Sequence, residues 1–428
     1  MKLSLKNVGK IRDAEIKIDG ITVIAGENDT GKSTVGKSLY TIFNSFFDLD
    51  KQIMNSRCEM IEDVIMRGLN YPFVFEEQFF DIAQEILKRG INFDKENLAD
   101  FRDKLREYLS LRDEENKTIS ISDENLMDMS EKINQILNVS SNEIFKRILQ
   151  SRIDGEFRKQ LATISNERTE SHIGLNIKDS NMDVKIIGAE ITNISFSTSL
   201  RTQAIYVDNP LIMDQIGSYP RGYLKRLKKR RTIMSHRDYL KACLINDDER
   251  DEVERVIDEI IVDNQIKEIE DIINKVCKGE FKRNKYYEDR TGSGISLDIH
   301  NVSAGIKIFM VIKQLLRNKM LSEKGILILD EPEVYLHPKW QLVFAEIIVL
   351  LQKKYDLHIL LTTHSPYFLR AVEVFAGKNG MADRCNYYLA EKEGRYAALR
   401  NVTNNTEKIY KKLLEPFEML QMETYQND

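Results

Sequence analysis

The sequence predicts an α/β fold with a mixed sheet, and two apolar runs support the prediction. The run at 21–25 leads into a glycine-rich stretch, 26–33, and a helical pattern follows from Thr34 to Phe47. The second run, 326–329, ends at two adjacent acids. Continuous aliphatic runs of this length are typical of parallel strands that are buried on both faces of a sheet.

The glycine-rich stretch reads GENDTGKS, which is a phosphate-binding loop of the form GxxxxGK[ST] in the strand–loop–helix context that the motif requires. Gly26 and Gly31 allow the backbone to approach a triphosphate closely. The N–H groups of the loop then face the phosphates at the positive end of a helix. Lys32 is expected to reach the β- and γ-phosphates, and the Ser33 hydroxyl is expected to bind Mg²⁺. The motif therefore predicts ATP and magnesium as ligands.

The acid pair lies at the end of the second apolar run, and Pro332 ends that strand. Ligands of α/β sheets bind beyond the carboxyl ends of the strands, so both carboxylates are expected near the phosphates. Asp330 is predicted to hold Mg²⁺, and Glu331 is predicted to act as the general base on the attacking water.

The remaining elements follow from hydrophobic periodicity. Residues 48–165 are predicted to be mostly helical, without heptads sustained over three repeats, so no long coiled-coil arm is expected. Residues 172–208 return to strand patterns, which predict further antiparallel strands and one core strand of the sheet. The tail is expected to form a strand pair near 385–401 and a helix from about Thr406.

Two adjacent segments carry opposite charge. Residues 221–241 hold nine Lys and Arg against one acid, and residues 247–271 hold twelve acids against three bases. The basic segment either contacts nucleic-acid phosphates or pairs with the acidic helix beside it, and both alternatives stay open. Arg231 and His236 also match the R-x4-H pattern of some ribonucleases, but the pattern is short and arginine is abundant there.

Composition places the chain among soluble proteins. It has 428 residues with 42% apolar and 31% charged content, and its longest apolar run, near 342–351, is interrupted by Glu346. No membrane span is therefore expected, and the N-terminus has no signal-peptide pattern. The four cysteines lie far apart and form no CxxC pair. They fit a reducing cytosol better than a disulfide framework, so we expect a cytoplasmic protein.

The stretch DEPEVYLHP at 330–338 resembles the ABC-type ATPases of the SMC, RecF and overcoming-lysogenization-defect group, in which E-x-x-L-H-P follows the acid pair. The stretch NVSAG at 301–305 resembles the ABC signature, although the usual Leu-Ser-Gly-Gly form is only partly kept. The stretch LTTHSP at 361–366 resembles the segment of the switch histidine. The N-terminus resembles the hairpin that opens these heads, with strands near 3–7 and 14–18.

This resemblance implies an ABC-type ATPase head with further site residues. Ser303, a good N-cap for the apolar helix that follows, would reach the γ-phosphate bound to the other subunit. His364 would sense the γ-phosphate. Asn7 would lie at the turn of the N-terminal hairpin, and Asp208 or Asn209 would occupy the metal-sensing loop, where the usual glutamine is absent.

The expected site has three sets of residues. The nucleotide contacts are Gly26, Glu27, Asn28, Asp29, Thr30, Gly31, Lys32, Ser33, Thr34, Ser303 and Gly305; the catalytic residues are Lys32, Glu331 and His364; the metal ligands are Ser33 and Asp330. The head is expected over 1–47, 172–209 and 285–428. Mainly helical insertions are expected over 48–171 and 210–284.

The signature implies that two heads close head-to-tail around two ATP molecules, so a homodimer or a larger assembly of dimers is expected. The layout resembles the ATPase subunits of bacterial anti-phage systems of the Septu and PARIS type, which implies a sensor or scaffold that controls an effector protein. One alternative is a RecF-like repair ATPase that binds DNA through 221–241. Another is an ATPase with an appended nuclease, which is disfavoured because only 64 residues follow His364.

Overall fold

A computed structural model describes residues 1–69, 77–88, 103, 122–162, 169–218, 235–245, 264–282, 285–288 and 295–426. These residues divide into two compact units. The described residues of 1–47, 152–229 and 234–428 form the first unit, and those of 48–151 form the second.

The strands of the described residues all belong to the first unit. The strands are β1 (Lys2–Val8), β2 (Ile11–Lys17), β3 (Ile21–Gly26), β4 (Glu170–Ile177), β5 (Ser180–Ile187), β6 (Glu190–Phe196), β7 (Ala204–Val207), β8 (Glu280–Lys282), β9 (Lys285–Glu288), β10 (Ile295–Asp298), β11 (Ile326–Asp330), β12 (His358–Thr363), β13 (Cys385–Glu393) and β14 (Tyr396–Asn401). The α-helices are α1 (Lys32–Ser45), α2 (Leu49–Gly68), α3 (Glu77–Lys88), α4 (Asp123–Asn138), α5 (Ser141–Phe157), α6 (His236–Leu244), α7 (Asn264–Val276), α8 (Ala304–Arg317), α9 (Pro338–Tyr355), α10 (Pro366–Lys378) and α11 (Glu407–Gln426).

Among the described residues, a mixed sheet of eleven strands organises the first unit, in the order β6-β5-β4-β1-β2-β14-β13-β3-β12-β11-β7. The strands β13, β3, β12, β11 and β7 run parallel to one another. The strands β2, β1, β4, β5 and β6 pair antiparallel. The predicted α/β fold with a mixed sheet is therefore confirmed.

The parallel part is the most buried region of the sheet. All residues of β3 and β7 are buried, as are the four aliphatic residues that open β11. Phe344 of α9 packs edge-on against Phe309 of α8, with ring centroids 5.4 Å apart, and stacks on Phe368 of α10 at 6.2 Å. Burial of large aromatic surfaces fixes these helices to one another, since each ring removes much apolar area from water.

The N-terminal hairpin differs in one detail from the expectation. Its turn lies at residues 9 and 10, and Asn7 lies within β1 with a φ of 54°. Asn7 has no partner in the register, which passes from Lys6↔Asp13 to Val8↔Ile11. Asparagine tolerates this left-handed conformation better than most residues. Asn7 therefore has an unusual backbone conformation, but it does not lie at the turn where it was expected.

The segment predicted as a helical insertion over 210–284 contains a strand as well as helices. Residues 210–218 form a 3-10 helix and 264–276 form α7, but β8 begins at Glu280 and pairs with β9. The strands β8, β9 and β10 form a separate sheet. This strand was missed because three residues are too few for a period-2 pattern to stand out.

The second unit has its own helical core. Ile61 and Ile65 of α2, Phe80 of α3 and Leu126 of α4 lie in one cluster of buried side chains. The Arg57 guanidinium donates to the carbonyl oxygens of Ile136, Leu137 and Val139, at 2.7–3.0 Å. It thereby satisfies carbonyl groups that a helix C-terminus leaves unpaired. Each helix in the described ranges falls short of the length or hydrophobicity that a bilayer span requires.

Candidate nucleotide site

Three adjacent parallel strands bring the predicted site residues to one edge of the sheet. Thr363 of β12 lies opposite Ala25 of β3, and Thr362 lies opposite Asp330 of β11. The carboxyl ends of β3, β11 and β12 therefore meet, because parallel strands in register end at the same edge. The phosphate loop, the acid pair and His364 follow these three ends.

The phosphate loop is shaped by its glycines. A Cβ atom at Gly26 would overlap the backbone carbonyl of Ala390, so the loop leaves β3 against β13 without room for a side chain. Gly31 is the N-cap of α1 with a φ of 80°, a conformation that glycine adopts without the penalty of a side chain. The Thr30 hydroxyl donates to the Glu27 carbonyl at 2.8 Å and closes the loop.

Lys32 is buried at the first position of α1 and points back over the loop. Its Nζ donates to the carbonyl oxygens of Glu27 at 2.7 Å and Gly26 at 3.3 Å, and it lies 4.0 Å from Glu331 Oε1. Burial lowers the pKa of Lys32, and the nearby carboxylates of Glu331 and Asp330 oppose that shift. Ser33, which follows, is exposed. A cationic amine and a free hydroxyl thus lie together at the N-terminus of α1.

Two acids in the loop are paired with lysines from distant elements. Lys412 of α11 lies 2.8 Å from Glu27, and Lys10 pairs with Asp29, which has a φ of 64°. The hydrogen bond from Lys412 lowers the pKa of Glu27. Asn28 between them is exposed. These lysines offset negative charge that would otherwise repel a bound anion.

Asp330 is held on both carboxylate oxygens. Tyr206 of β7 donates its hydroxyl to Oδ2 at 2.9 Å, and Thr362 of β12 donates its hydroxyl to Oδ1 at 2.5 Å. Each donor comes from a strand next to β11, so the sheet itself fixes the orientation of this carboxylate. The carboxylate and the Ser33 hydroxyl are oxygen donors of the kind that Mg²⁺ prefers.

Glu331 has a strained backbone and a histidine partner. Its φ is 48°, a left-handed value that non-glycine residues rarely adopt. Its N–H donates to Thr362 Oγ1 at 3.0 Å, and its Oε1 lies 2.7 Å from His364 Nε2. The hydrogen bond with His364 lowers the pKa of Glu331, with Lys32 adding to the shift. Strain of this kind persists where surrounding contacts enforce it, and it is concentrated at functional sites.

Glu333 connects the two turns that carry Glu331 and His364. Its Oε1 accepts from the Thr363 hydroxyl at 2.5 Å and from the His364 N–H at 2.9 Å. The residue is 4% exposed, and burial raises the pKa of Glu333. Pro366 is the first residue of α10 and Ser365 is its N-cap, as predicted, so His364 is held between β12 and α10.

Ser303 and Gly305 begin α8. Ser303 is the N-cap, as predicted, but within this described helix its exposed hydroxyl forms no cap hydrogen bond. Gly305 is buried, and a Cβ atom there would lie 2.8 Å from the Tyr335 carbonyl oxygen. Glycine therefore lets α8 approach the turn that follows the acid pair.

His236 occupies a buried ion-pair cluster rather than an open ribonuclease site. It is 7% exposed, its Nδ1 lies 2.6 Å from Glu156 Oε2, and its Nε2 lies 3.1 Å from Asp208 Oδ2. Arg237 donates two hydrogen bonds to the same Asp208 oxygen. Arg231 of the R-x4-H match lies outside the described residues. The position of Asp208 just beyond β7 agrees with the expected loop, whereas its metal-sensing role stays a prediction.

Only parts of the two charged segments lie in the described ranges. Of the basic segment, 235–241 is described, and there Lys241 pairs with Asp238 at 2.9 Å. Of the acidic segment, 264–271 is described, and there Glu268 pairs with Lys354 at 2.8 Å. Glu268 thus pairs with α9, and the choice between nucleic-acid contact and mutual pairing stays open for the rest of the two segments.

The chain belongs to the AAA ATPase domain family, whose sequence model matches residues 1–369. Solved heads of SMC proteins are similar to it at low identity. The SMC head domain from Thermotoga maritima is 10% identical, with a TM-score of 0.36 over 94% of this chain and 98% of that chain.

Two further SMC heads were solved with a domain of ScpA. One, bound to the C-winged helix domain of ScpA, is 10% identical with a TM-score of 0.42 over 95% of this chain and 98% of that one. The other is a head with an extended coiled coil, bound to the C-terminal domain of ScpA derived from Pyrococcus furiosus. It is 9% identical, with a TM-score of 0.39 over 97% of this chain and 98% of that one.

Proposed function

We propose that the chain binds and hydrolyses ATP with Mg²⁺ at the edge where β3, β11 and β12 end. The observation that carries this proposal is the convergence of Lys32, Glu331 and His364, with Lys32 Nζ 4.0 Å and His364 Nε2 2.7 Å from the same carboxylate oxygen. Lys32 lies about 300 residues from Glu331 and His364 in sequence.

The residues of the loop suit a triphosphate. The backbone of 26–34 presents N–H groups at the N-terminus of α1, where an anion is favoured. Lys32 is hydrogen-bonded to carbonyl oxygens of its own loop. We propose that it exchanges these neutral acceptors for the β- and γ-phosphates, which bind an ammonium group more strongly.

Asp330 and Ser33 would hold Mg²⁺, because they supply a fixed carboxylate and an exposed hydroxyl beside the loop. When bound, the ion neutralises charge on the phosphate oxygens. Glu331 would orient the attacking water and accept its proton, since its lowered pKa keeps it ionised at neutral pH. His364 would hold Glu331 in place and contact the γ-phosphate.

We further propose that two copies close head-to-tail in the manner of ABC-type heads of the SMC and RecF kind. Two features support this. The Ser303 hydroxyl is exposed at the start of α8 and is not used as a cap. Val334, Tyr335 and Tyr367, which flank the acid pair and His364 in sequence, are 60%, 43% and 65% exposed. Exposed apolar side chains around a polar site are typical of a surface that a partner covers.

The biological role that we propose is a sensor or scaffold whose ATP-driven closure controls an effector protein in anti-phage defence of the Septu or PARIS type. The outer half of α11 supports a protein partner, since Phe417, Met419, Leu420 and Met422 are 61–66% exposed. The competing role is a DNA-binding repair ATPase. It depends on residues 221–241, most of which lie outside the described ranges.

The closure is tested with Glu331→Gln protein, which should bind ATP without releasing the closed state. Sedimentation should show monomers without nucleotide and dimers with Mg²⁺-ATP. Ser303→Glu should abolish the dimer and retain nucleotide binding, because it places an acid where the partner's γ-phosphate would lie. Ser141→Glu, at the start of α5, is the matched control and should still dimerise. An ATP-independent dimer, or one that Ser303→Glu leaves intact, would contradict head-to-tail closure.

A DNA-binding titration of Glu331→Gln protein over a series of salt concentrations distinguishes the two biological roles. ATP-dependent binding that falls steeply with salt would favour the repair role, because each phosphate contact releases counterions. The effector-control role predicts no duplex binding with or without ATP.

A further inference from the structure

Asp330 is buttressed by a tyrosine that the nucleotide motifs do not include. Tyr206 is 1% exposed in β7, and its hydroxyl donates to Asp330 Oδ2 at 2.9 Å across 124 residues of sequence. An ionised carboxylate can only accept hydrogen bonds, so the Tyr206 hydroxyl is the donor. The hydrogen bond therefore points one way, from Tyr206 to the carboxylate.

His236 packs against the ring of Tyr206. The two rings stack with centroids 4.5 Å apart and an interplanar angle of 29°. Tyr40 of α1 also packs near both, at 6.4 Å from Tyr206 and 6.0 Å from His236. The phenol ring therefore packs against two aromatic neighbours, which restrict the freedom of its hydroxyl to leave Asp330.

The position of His236 is fixed by charge. Glu156 accepts the His236 backbone N–H at 2.6 Å and contacts Nδ1 at 2.6 Å, while Asp208 contacts Nε2 at 3.1 Å. Burial by itself lowers the pKa of His236, but the hydrogen bonds of the two carboxylates outweigh it and raise the pKa to about 9. The imidazole is thus cationic at neutral pH, and both ring nitrogens are held by carboxylates.

We propose that Tyr206 is a positioning residue for the metal carboxylate Asp330, and that His236 acts through Tyr206 by holding its ring. This inference rests on the proposed Mg²⁺-ATP site. It assigns the R-x4-H histidine a function inside the ATPase head in place of ribonuclease chemistry. Residues that hydrogen-bond a metal ligand keep its orientation, and their loss weakens metal affinity by about 10- to 100-fold.

Tyr206→Phe tests the first step, since it removes one hydroxyl and keeps the stacked ring. The readout is binding of a fluorescent ATP analogue, measured in EDTA and at rising Mg²⁺. We expect unchanged affinity in EDTA and about a 10-fold higher Mg²⁺ concentration for half-maximal enhancement of binding. Tyr239→Phe is the matched control, because it removes a buried phenol that donates to Gln203 at 2.6 Å and should leave the Mg²⁺ dependence unchanged.

Three results have distinct meanings. If the parent protein binds no nucleotide, the proposed function fails. If the parent binds it with Mg²⁺ and Tyr206→Phe shows the parent's Mg²⁺ dependence, the positioning role is wrong. If Tyr239→Phe shifts the Mg²⁺ dependence as much as Tyr206→Phe, loss of any buried phenol has the same effect and the assignment is also wrong.

The second step is tested by a double-mutant cycle with His236→Gln. If His236 acts through Tyr206, the His236→Gln substitution should raise the Mg²⁺ concentration needed by the parent. The same substitution should add little in the Tyr206→Phe background. Additive effects would show that His236 acts separately. Should His236→Gln fail to fold, His236→Phe replaces it, because that change keeps an aromatic ring against Tyr206. This variant should then retain the parent's Mg²⁺ dependence, and a shift as large as that of Tyr206→Phe would overturn the second step.

Discussion

Replacing Glu333 with alanine tests whether the hydrogen bonds that this side chain accepts stabilise the turn that carries His364. Glu333 lies two residues beyond the proposed base, yet in the described structure its side chain faces the turn after β12. It accepts hydrogen bonds from the Thr363 hydroxyl at 2.5 Å and from the His364 N–H at 2.9 Å. Removing the carboxylate leaves both donors without that acceptor in a site where Glu333 itself is 4% exposed.

The magnitude follows from the two donors. A buried donor left unpaired costs about 1–3 kcal/mol, so two cost roughly 2–6 kcal/mol, and we expect about 3 kcal/mol after relaxation. The first unit contains about 320 residues. With an unfolding entropy of about 2.1 cal/mol/K per residue, 3 kcal/mol corresponds to a fall of about 4–5 °C in its Tm. ATP turnover should fall as well, because His364 loses its backbone anchor.

The assay compares calorimetric melting and ATP turnover of Glu333→Ala with those of Glu333→Gln. Glutamine keeps an acceptor oxygen at the same place and removes the ionisable carboxyl group. If the hydrogen bonds are what matters, Glu333→Gln should lie within about 1 kcal/mol of the parent. Equal losses in both variants would refute the reasoning and would show that the carboxyl group itself, rather than its acceptor oxygen, is required.

Two further predictions concern charge. Lys412→Ala should weaken ATP binding about two- to five-fold, as expected for a partly exposed ion pair, because Glu27 then faces the phosphates without its lysine. Isothermal titration should show no such loss for the control Lys411→Ala, on the same helix. Equal losses in the two variants would contradict a role for the pair of Lys412 with Glu27. The pKa of His236 is about 9 in the folded protein against 6.5 for the free side chain. The contribution of His236 to the stability of the folded protein is therefore complete below about pH 6.5 and is lost as pH rises through 9. Urea unfolding over pH 6–10 should show this decline in the parent and not in His236→Gln, and an identical slope in both would contradict it.

The sheet core was predictable because its strands are continuous aliphatic runs. The runs at 21–25 and 326–329 became β3 and β11, and the tail formed its strand pair and helix where periodicity indicated. The helical pattern predicted from Thr34 to Phe47 became α1, which spans Lys32–Ser45, so each bound differs by two residues. The boundaries of helices and strands are the least reliable part of a prediction from sequence.

The support of the site was not predictable from motifs. Tyr206 was visible only as one residue of a buried strand, and His236 only as part of a short pattern with Arg231. Their contacts join β7, α6 and β11 at sequence separations that periodicity cannot relate. Lys412 was likewise invisible, because an exposed lysine on a terminal helix carries no local signal of its partner.

The most direct measurement is phosphate release from Mg²⁺-ATP by the parent and by Glu331→Gln, with ATP affinity measured for both. Hydrolysis with Glu331 as the general base predicts steady release by the parent and, at equal ATP affinity, release slower by about 10²- to 10⁴-fold in the variant. Equal rates in the two proteins would contradict the assignment of Glu331. Tight ATP binding without any release by the parent would contradict the proposed hydrolysis itself.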